Sequence, residues 1–466
     1  MQKKANNLFF IIISLLTVLC WFFLYKQYSI FNYSRIPYFA LDKIPGHYQS
    51  SVLHFTTLLF IILSVCYIIG FYLLRRSKTI STLVKLIIIF TLLLIGVINV
   101  LLYPVGALDI FYYISESKIF YFYHQNPYIT LFRAFPNDIL MDYTIFPTFA
   151  LLYGPLWLFL SSIPFLIVDS SNLLYLLVSY KVFSFIFFSG TLVIVCLFGK
   201  DKKIRWQLFY LASLNPFLLF ETITNAHNDI ILVFFLLLSI FFLKKKHWLT
   251  LPFLALSILI KYYTIVLLPF FLLKMFRNKI NKAVIMKSFT ISLLLLIGFF
   301  VPFLIHGSIN NFVQAITSSV NIYAYSIFSL LKEFSIQING THIERILWIF
   351  LLLVFLIFYL IRIRGYQKED EIQTSIDILL VFLVLLSLMQ PWYLVPVLLL
   401  LIVNNKRGSI VFMFIITFTS LIFYPISVWA WFNSGFSVFN IHLFQSIFIT
   451  LPILLYFLFR GVTKIS

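Results

Sequence analysis

The sequence predicts an all-α, polytopic integral membrane protein, and two observations carry that prediction. Hydrophobic residues make up 62% of the chain and charged residues only 11%, where a soluble domain carries about 25% charged residues. Apolar runs follow one another from Leu8 to Phe459 with no soluble-looking stretch between them. A helix of about 20 apolar residues satisfies its own backbone while crossing hydrocarbon. At that length, 466 residues hold about 11 to 13 membrane helices, some of them short or re-entrant. Residues 1–466 read as a single membrane domain, because no Gly/Ser linker, internal repeat or low-complexity tail divides them.

The charge pattern orients these helices. A net charge of +19 invites a nucleic-acid reading, but the Lys and Arg residues sit in short clusters between apolar runs, with no basic-aromatic surface for a strand to lie on. They read as cytoplasmic loop markers. Lys3 and Lys4 precede the run Leu8–Tyr25, which lacks a small-residue cleavage site and is taken as the first span. Val52–Leu74 returns the chain to Arg75, Arg76 and Lys78, and Thr82–Tyr103 crosses again. Residues 104–147 are thereby delivered to the outer face, carrying Asp109, Glu116, Asp138 and Asp142. The stretches Tyr28–Ser50 and His306–Thr341 also face outward in this scheme. The clusters Lys200–Arg205, Lys244–Lys246, Lys274–Lys287, Arg362–Lys368, Lys406 with Arg407, and Arg460 with Lys464 lie inside. Localisation in the cell membrane follows, with a multi-pass topology and any active site on the extracytoplasmic face. Cys20, Cys66 and Cys196 stand in apolar runs without ligand spacing, so neither a disulfide framework nor a metal centre is expected from them.

Three stretches break the alternation. Leu151–Val168, Leu173–Phe198 and Leu208–Phe220 give three runs where an even number is required, and the Pro-bracketed run after Tyr153 is read as re-entrant. Leu249–Leu273 is interrupted at Lys261-Tyr-Tyr263, and Ile376–Val403 at Gln390-Pro-Trp-Tyr393. Limbs this short span only in pairs, and freed backbone at membrane depth is tolerated where it lines protein or a watery cavity. Both interruptions are therefore candidate walls of a substrate chamber, the alternative being an ordinary tilted helix pair.

Three groups of residues have the chemistry for a site. Asp109, Tyr112, Tyr113 and Glu116 fall at i, i+3, i+4 and i+7, on one face of a helix. A carboxylate beside tyrosines at the membrane surface suits a general base, while the plainer reading is an interfacial helix anchored by its aromatics. Asn215-Pro216, Glu221 and Asn225-Ala-His227-Asn228-Asp229 precede a long apolar run, where ionisable groups either line a cavity or cap a helix. Lys261 interrupts an apolar run and needs an anion, for which a lipid phosphate is one choice and snorkelling to the interface the other. Arg133, His306, Arg345 and the group Gln390, Trp392 and Tyr393 complete the outer-side candidates. No Gly-rich nucleotide loop and no Cys/His metal spacing is present, so no cofactor is expected, and a divalent metal has no support from spacing.

Taken in order, Asp109-Ile-Phe-Tyr-Tyr113 with Asn126-Pro-Tyr128, Tyr153-Gly-Pro-Leu-Trp157, Asn215-Pro with His227-Asn-Asp229, and Gln390-Pro-Trp-Tyr393 resemble the GT-C superfamily of membrane glycosyltransferases. The resemblance is greatest to the polyprenol-phosphate-mannose-dependent mannosyltransferases of bacterial envelopes, with Lys261-Tyr-Tyr263 as a weaker fifth match. It implies a helical membrane fold whose first large outer loop covers a cavity. It also implies an inverting transfer of a sugar, mannose by family precedent, from a polyprenyl-phosphate donor to an envelope glycan or lipid acceptor. Asp109 is then the general base. Tyr112, Tyr113, Glu116, His227, Asp229, Lys261, Gln390, Trp392 and Tyr393 bind substrate, and cations such as Lys261 hold the departing phosphate. A lipid or glycan transporter or flippase is the main alternative, and a polymerase or ligase of lipid-linked glycans shares the same site logic. A flippase places its charges along a path through the bilayer, whereas here the acids gather outside and the cytoplasmic clusters are basic.

Overall fold

The computed structural model describes residues 2–33, 49–144, 146–168, 172–305, 325–339, 344–365, 371–385 and 389–463. These residues form 19 α-helices, and the described β-structure is one isolated bridge, Ser29 to Leu102. Eight helices are long and apolar enough to cross a membrane, or nine if one bent pair is a single span. Three shorter apolar helices, Pro155–Ile167, His247–Ile258 and Pro391–Asn404, accompany them. The all-α polytopic class is thus the observed one. The expected outer stretches fall partly outside the described residues, at 34–48, 145, 306–324 and 340–341, as do Tyr366 to Lys368 and Lys464 of the expected cytoplasmic stretches.

Two compact units are present, residues 1–47 with 65–319, and residues 48–64 with 320–466. The first holds α1 (Gln2–Gln27), α2 (Ile30–Tyr33), the part of α3 (Ser50–Arg76) from Val65, α4 (Thr82–Leu101), α5 (Asp109–Tyr121), α6 (Pro155–Ile167) and α7 (Leu173–Leu197). It continues through α8 (Lys202–Ser213), α9 (Pro216–Leu219), α10 (Asp229–Lys245), α11 (Thr250–Ile258), α12 (Leu268–Arg277) and α13 (Lys282–Ile305). The second holds α14 (Ile327–Asn339), α15 (Glu344–Arg364), α16 (Glu371–Leu385), α17 (Leu394–Asn404), α18 (Arg407–Asn433) and α19 (Val438–Thr463).

The helix α4 shows what the solvent must be. Val84, Ile88, Thr91, Leu92, Ile95 and Asn99 are buried at three- and four-residue spacing, while Leu86, Phe90, Leu93 and Val97 are exposed on the opposite side. Both faces are apolar, which water would penalise and lipid tolerates. The one strongly polar buried residue, Asn99, is satisfied by donating to the Ile95 carbonyl at 2.9 Å and accepting from Thr224 Oγ1 at 2.7 Å.

Two expectations change on folding. The run Leu208–Phe220 is not one crossing. The helix α8 stops at Ser213, and Asn215 starts α9 by accepting from the amides of Phe217 and Leu218, both at 3.0 Å. Asn followed by Pro is a helix-start signal, and the residue before Pro disfavours α geometry, so the apolar character of the run is overruled locally. α9 runs into a π-helical turn, Phe220–Thr224, and the axis then bends by 117° into α10. At that bend Ala226 takes φ +54°, a left-handed conformation that costs a side-chain-bearing residue about 1 kcal/mol or more. Secondly, α5 is no half-solvated interfacial helix, since every residue from Ile110 to Ile119 is buried. It packs on α6 and α7, and the segment between α5 and α6 wraps over it, with Tyr128, Leu151, Leu158 and Phe303 forming one apolar cluster.

A close helix contact sets the α3–α8 spacing. Tyr210 stacks on Tyr67 with centroids 5.8 Å apart and donates to the Tyr67 carbonyl at 3.0 Å, while Tyr67 donates to the Leu211 carbonyl at 2.6 Å. A Cβ at Gly70 would lie 2.1 Å from Tyr210 Oη. Gly70→Leu is therefore expected to destabilise the first unit by about 1–3 kcal/mol, the usual range for overpacking. Thermal unfolding in detergent checks this against Leu93→Ala on the exposed face, which is expected to shift the midpoint less.

Candidate active site

Four segments of the first unit converge on Asp109: residues 106–113, 150–157, 221–229 and 259–263. Asp109 is the first residue of α5, where the helix dipole favours an anion. Its Oδ2 accepts from the Tyr153 hydroxyl at 3.1 Å and lies 3.8 Å from His227 Nδ1. Burial pushes its carboxyl up to about 6, aided by Asp229 and opposed by Lys261 and by the Tyr153 hydrogen bond.

Tyr153 is itself held firmly. Its carbonyl accepts from the hydroxyls of Tyr128 at 2.8 Å and Tyr262 at 2.9 Å. Its ring packs edge-on against Tyr113, centroids 5.3 Å apart, and Lys261 Nζ lies 5.3 Å from the ring centre. The next residue, Gly154, donates its amide to the Ile260 carbonyl at 3.0 Å. A Cβ there would come within 2.1 Å of the Leu259 carbonyl oxygen, so the close approach of these two backbones requires glycine.

Beside this lies a buried ion pair. Lys261 Nζ is 2.6 Å from Asp229 Oδ2, with side-chain exposures of 4% and 0%, and the Tyr263 hydroxyl donates to Asp229 Oδ1 at 3.3 Å. Asp229 opens α10, yet its carboxylate is engaged by Lys261 and Tyr263. The anion that Lys261 meets in this state is Asp229, so neither snorkelling nor a bound phosphate is needed to account for its charge. On the other side, Glu221 Oε2 accepts from Asn225 Nδ2 at 3.0 Å and lies 3.4 Å from His227 Nε2. Asn225 Oδ1 in turn accepts from the Gly106 amide at 3.1 Å, which ties down the stretch of chain leading into Asp109.

Among the other sequence candidates, Tyr112 is a strut, donating to the Ala150 carbonyl at 2.6 Å and accepting from the Leu152 amide at 3.1 Å. Tyr113 packs at 4.8 Å on Trp157. Glu116 is buried with no hydrogen-bond partner among the described residues, and burial pushes its carboxyl well above the usual range. Two helical turns separate it from Asp109, and it does not join the cluster. Asp138 pairs with Lys118 at 2.7 Å, accepts from Tyr123 at 2.6 Å and caps the turn Ile139–Asp142, while Arg133 and Asp142 are exposed. Gln390, Trp392 and Tyr393 belong to the second unit, at the short turn Pro391–Tyr393 that enters α17. His306 and the Arg345 side chain lie outside the described residues.

Sequence reasoning grouped Asn225 with Glu221, His227 and Asp229 and named Tyr153 and Tyr263 within motifs, but did not join any of the three to Asp109. The available signals were the Tyr-Gly-Pro triplet, a glycine between two bulky residues, and polar side chains just inside apolar runs. Among the described residues no group of three or more His, Cys, Asp or Glu side chains is arranged to hold a metal ion. The His227 ring separates Asp109 from Glu221, so these three donors do not point at a common centre. Gly154→Ala is expected to push Tyr153 off Asp109 and to impair any Asp109-dependent activity by about 100-fold, the scale of an ångström-level misplacement. Turnover of the variant at matched folded yield measures it.

No curated protein matches the chain. Residues 39–277 match the family model described as alpha-(1->6)-mannopyranosyltransferase, N-terminal domain. This stretch is just over half of the chain and includes Asp109, Tyr153, Glu221, His227, Asp229 and Lys261. The protein is thus a multi-pass helical membrane protein that belongs to the alpha-(1->6)-mannopyranosyltransferase family.

Proposed function

We propose that the protein moves a mannosyl group from a polyprenyl-phosphate donor to a hydroxyl of an envelope glycan or lipid, with inversion, on the extracytoplasmic face of the cell membrane, as a GT-C-type enzyme. The observation that carries this reading is the contrast among the buried acids. Asp109 keeps 13% of its side chain exposed, while Glu221 and Asp229 show 0%. Asp109 is therefore the carboxylate of this cluster that an acceptor hydroxyl reaches. A carboxyl near 6 is mostly ionised at neutral pH and is still basic enough to help remove a hydroxyl proton in the transition state.

In the proposed step Asp109 takes the acceptor O–H proton as that oxygen bonds to the sugar C1. The C1–O bond to phosphate breaks, its electron pair staying on the phosphate oxygen. The Lys261 ammonium, paired with Asp229, supplies the positive charge beside Asp109 that would stabilise the departing phosphate. Outer-face placement draws on the basic clusters of the sequence and on the family resemblance.

Two measurements test this. The base must be deprotonated, so kcat/KM with a polyprenyl-phosphate-mannose donor is expected to rise with pH through about 6 and then level off. Asp109→Asn is expected to lose activity by about 100-fold or more across the range. Turnover retained by Asp109→Asn at wild-type folded yield would remove Asp109 from the role. For Lys261, the double variant Lys261→Gln with Asp229→Asn neutralises the pair together and avoids a stranded buried charge. Donor affinity is expected to fall by about 10-fold to 150-fold, the effect of losing a charge-assisted contact, with Lys406→Gln as the unaffected control.

A further inference from the structure

The His227 ring lies between two carboxylates, Nδ1 3.8 Å from Asp109 Oδ2 and Nε2 3.4 Å from Glu221 Oε2. The orientation of the Glu221 contact is fixed from outside. Gly106 donates to Asn225 Oδ1, so Asn225 must present its amide N–H groups to Glu221 Oε2, and that oxygen is an acceptor. The approach is not a formed hydrogen bond, but as the nearer of the two carboxylates Glu221 favours the imidazole tautomer that carries its proton on Nε2. Nδ1 then offers a lone pair toward Asp109.

We propose that His227 is a proton-holding residue for the transfer, which receives through Nδ1 the proton Asp109 takes from the acceptor, with Glu221 as the positioning residue that fixes its tautomer and balances its charge. The proposal rests on the reading of Asp109 as general base. The acceptor proton passes first to Asp109, and a turn of the carboxyl about Cβ–Cγ presents it to Nδ1. Asp109 returns to carboxylate, and the imidazolium stands between two carboxylates. On product release the proton returns through Asp109 to water. The orienting carboxylate, imidazole and proton-transfer partner repeat the logic of hydrolase triads on an unrelated scaffold.

The groups facing this line pull in both directions. Burial, and after it the Lys261 ammonium, hold His227 well below the ordinary imidazole range, so the ring is neutral at rest. Asp229, with Tyr263 at its second oxygen, offsets part of the Lys261 charge, while Tyr153 donates to Asp109 and Asn225 donates to Glu221. The 3.8 Å gap is longer than a hydrogen bond, as catalytic contacts without substrate commonly are.

Nitrogen-15 NMR of the full chain in lipid, labelled at its 8 histidines, reads the ring directly, with the His227 signal assigned by its loss in His227→Gln. The expected spectrum at neutral pH is a neutral ring protonated at Nε2. In turnover, Glu221→Gln and His227→Gln are each expected to lower kcat by about 10-fold to 100-fold with donor KM within about twofold. The double variant is expected to fall no further, as members of one unit behave, and Glu221→Asp is expected to recover part of the loss. A ring protonated at Nδ1 at neutral pH would overturn the proposal, as would additive losses. Because the spectrum is taken without substrate, the expected ring states in a protein inert toward polyprenyl-phosphate-mannose would sink the donor assignment and leave the proton array standing.

Discussion

The ion pair between Lys261 and Asp229 is the interaction on which the rest of the candidate site depends. Each charge comes from a break in an apolar run, Asp229 at the 117° bend before α10 and Lys261 after α11 ends. Alone, each would be costly to bury, and removing one partner of such a pair typically costs about 3–5 kcal/mol because the other is stranded. Together they make both breaks tolerable, since a broken helix survives at depth where polar partners take up its freed groups. The pairing holds the segments 221–229 and 259–263 in one place.

Around this pair the site is built from carbonyls and tyrosines more than from charges. Tyr128 and Tyr262 both donate to the Tyr153 carbonyl, Gly154 seats on Ile260, and the Tyr153 hydroxyl points at Asp109. Tyrosine suits this work because its ring fills apolar space while its hydroxyl satisfies one buried acceptor. On the far side, Asn225 links Gly106 to Glu221, so the turn before α5 and the π-helical turn are fixed to each other. Asp109 is therefore positioned from both flanks while part of its carboxylate stays open.

The environment separates four acids that look alike in sequence. Asp229 is neutralised by a lysine, and Glu221 accepts from the Asn225 amide and lies beside the His227 imidazole. Glu116 is buried without a hydrogen-bond partner among the described residues and pushed well above the usual carboxylate range, whereas Asp109 is raised to about 6 and left reachable. Burial and neighbours are thus what set these four carboxyls apart.

The sequence by itself determined the class of the molecule and its interruptions. Composition and run length demand a lipid solvent and helices, and the breaks at Lys261-Tyr-Tyr263 and Gln390-Pro-Trp-Tyr393 are visible because Pro, Lys and Gln cannot pass unnoticed in an apolar run. Asp109, His227, Asp229 and Lys261 are legible as candidates for the same reason, an ionisable residue being expensive in hydrocarbon. Only the tertiary structure decided which of them meet. Helical spacing puts Tyr112, Tyr113 and Glu116 on one face with Asp109, but it carries no information on what covers that face, and α6 with the wrapping segment buries all three. The break at Asn215-Pro216 hides in an apolar run, because hydropathy outweighs a local start signal until backbone hydrogen bonds are counted. Tyr153, Glu221 and Asn225 matter through partners 44, 4 and 119 residues away, at Asp109, Asn225 and Gly106. Contacts of the longer kind are set by packing geometry, and a linear pattern does not encode them.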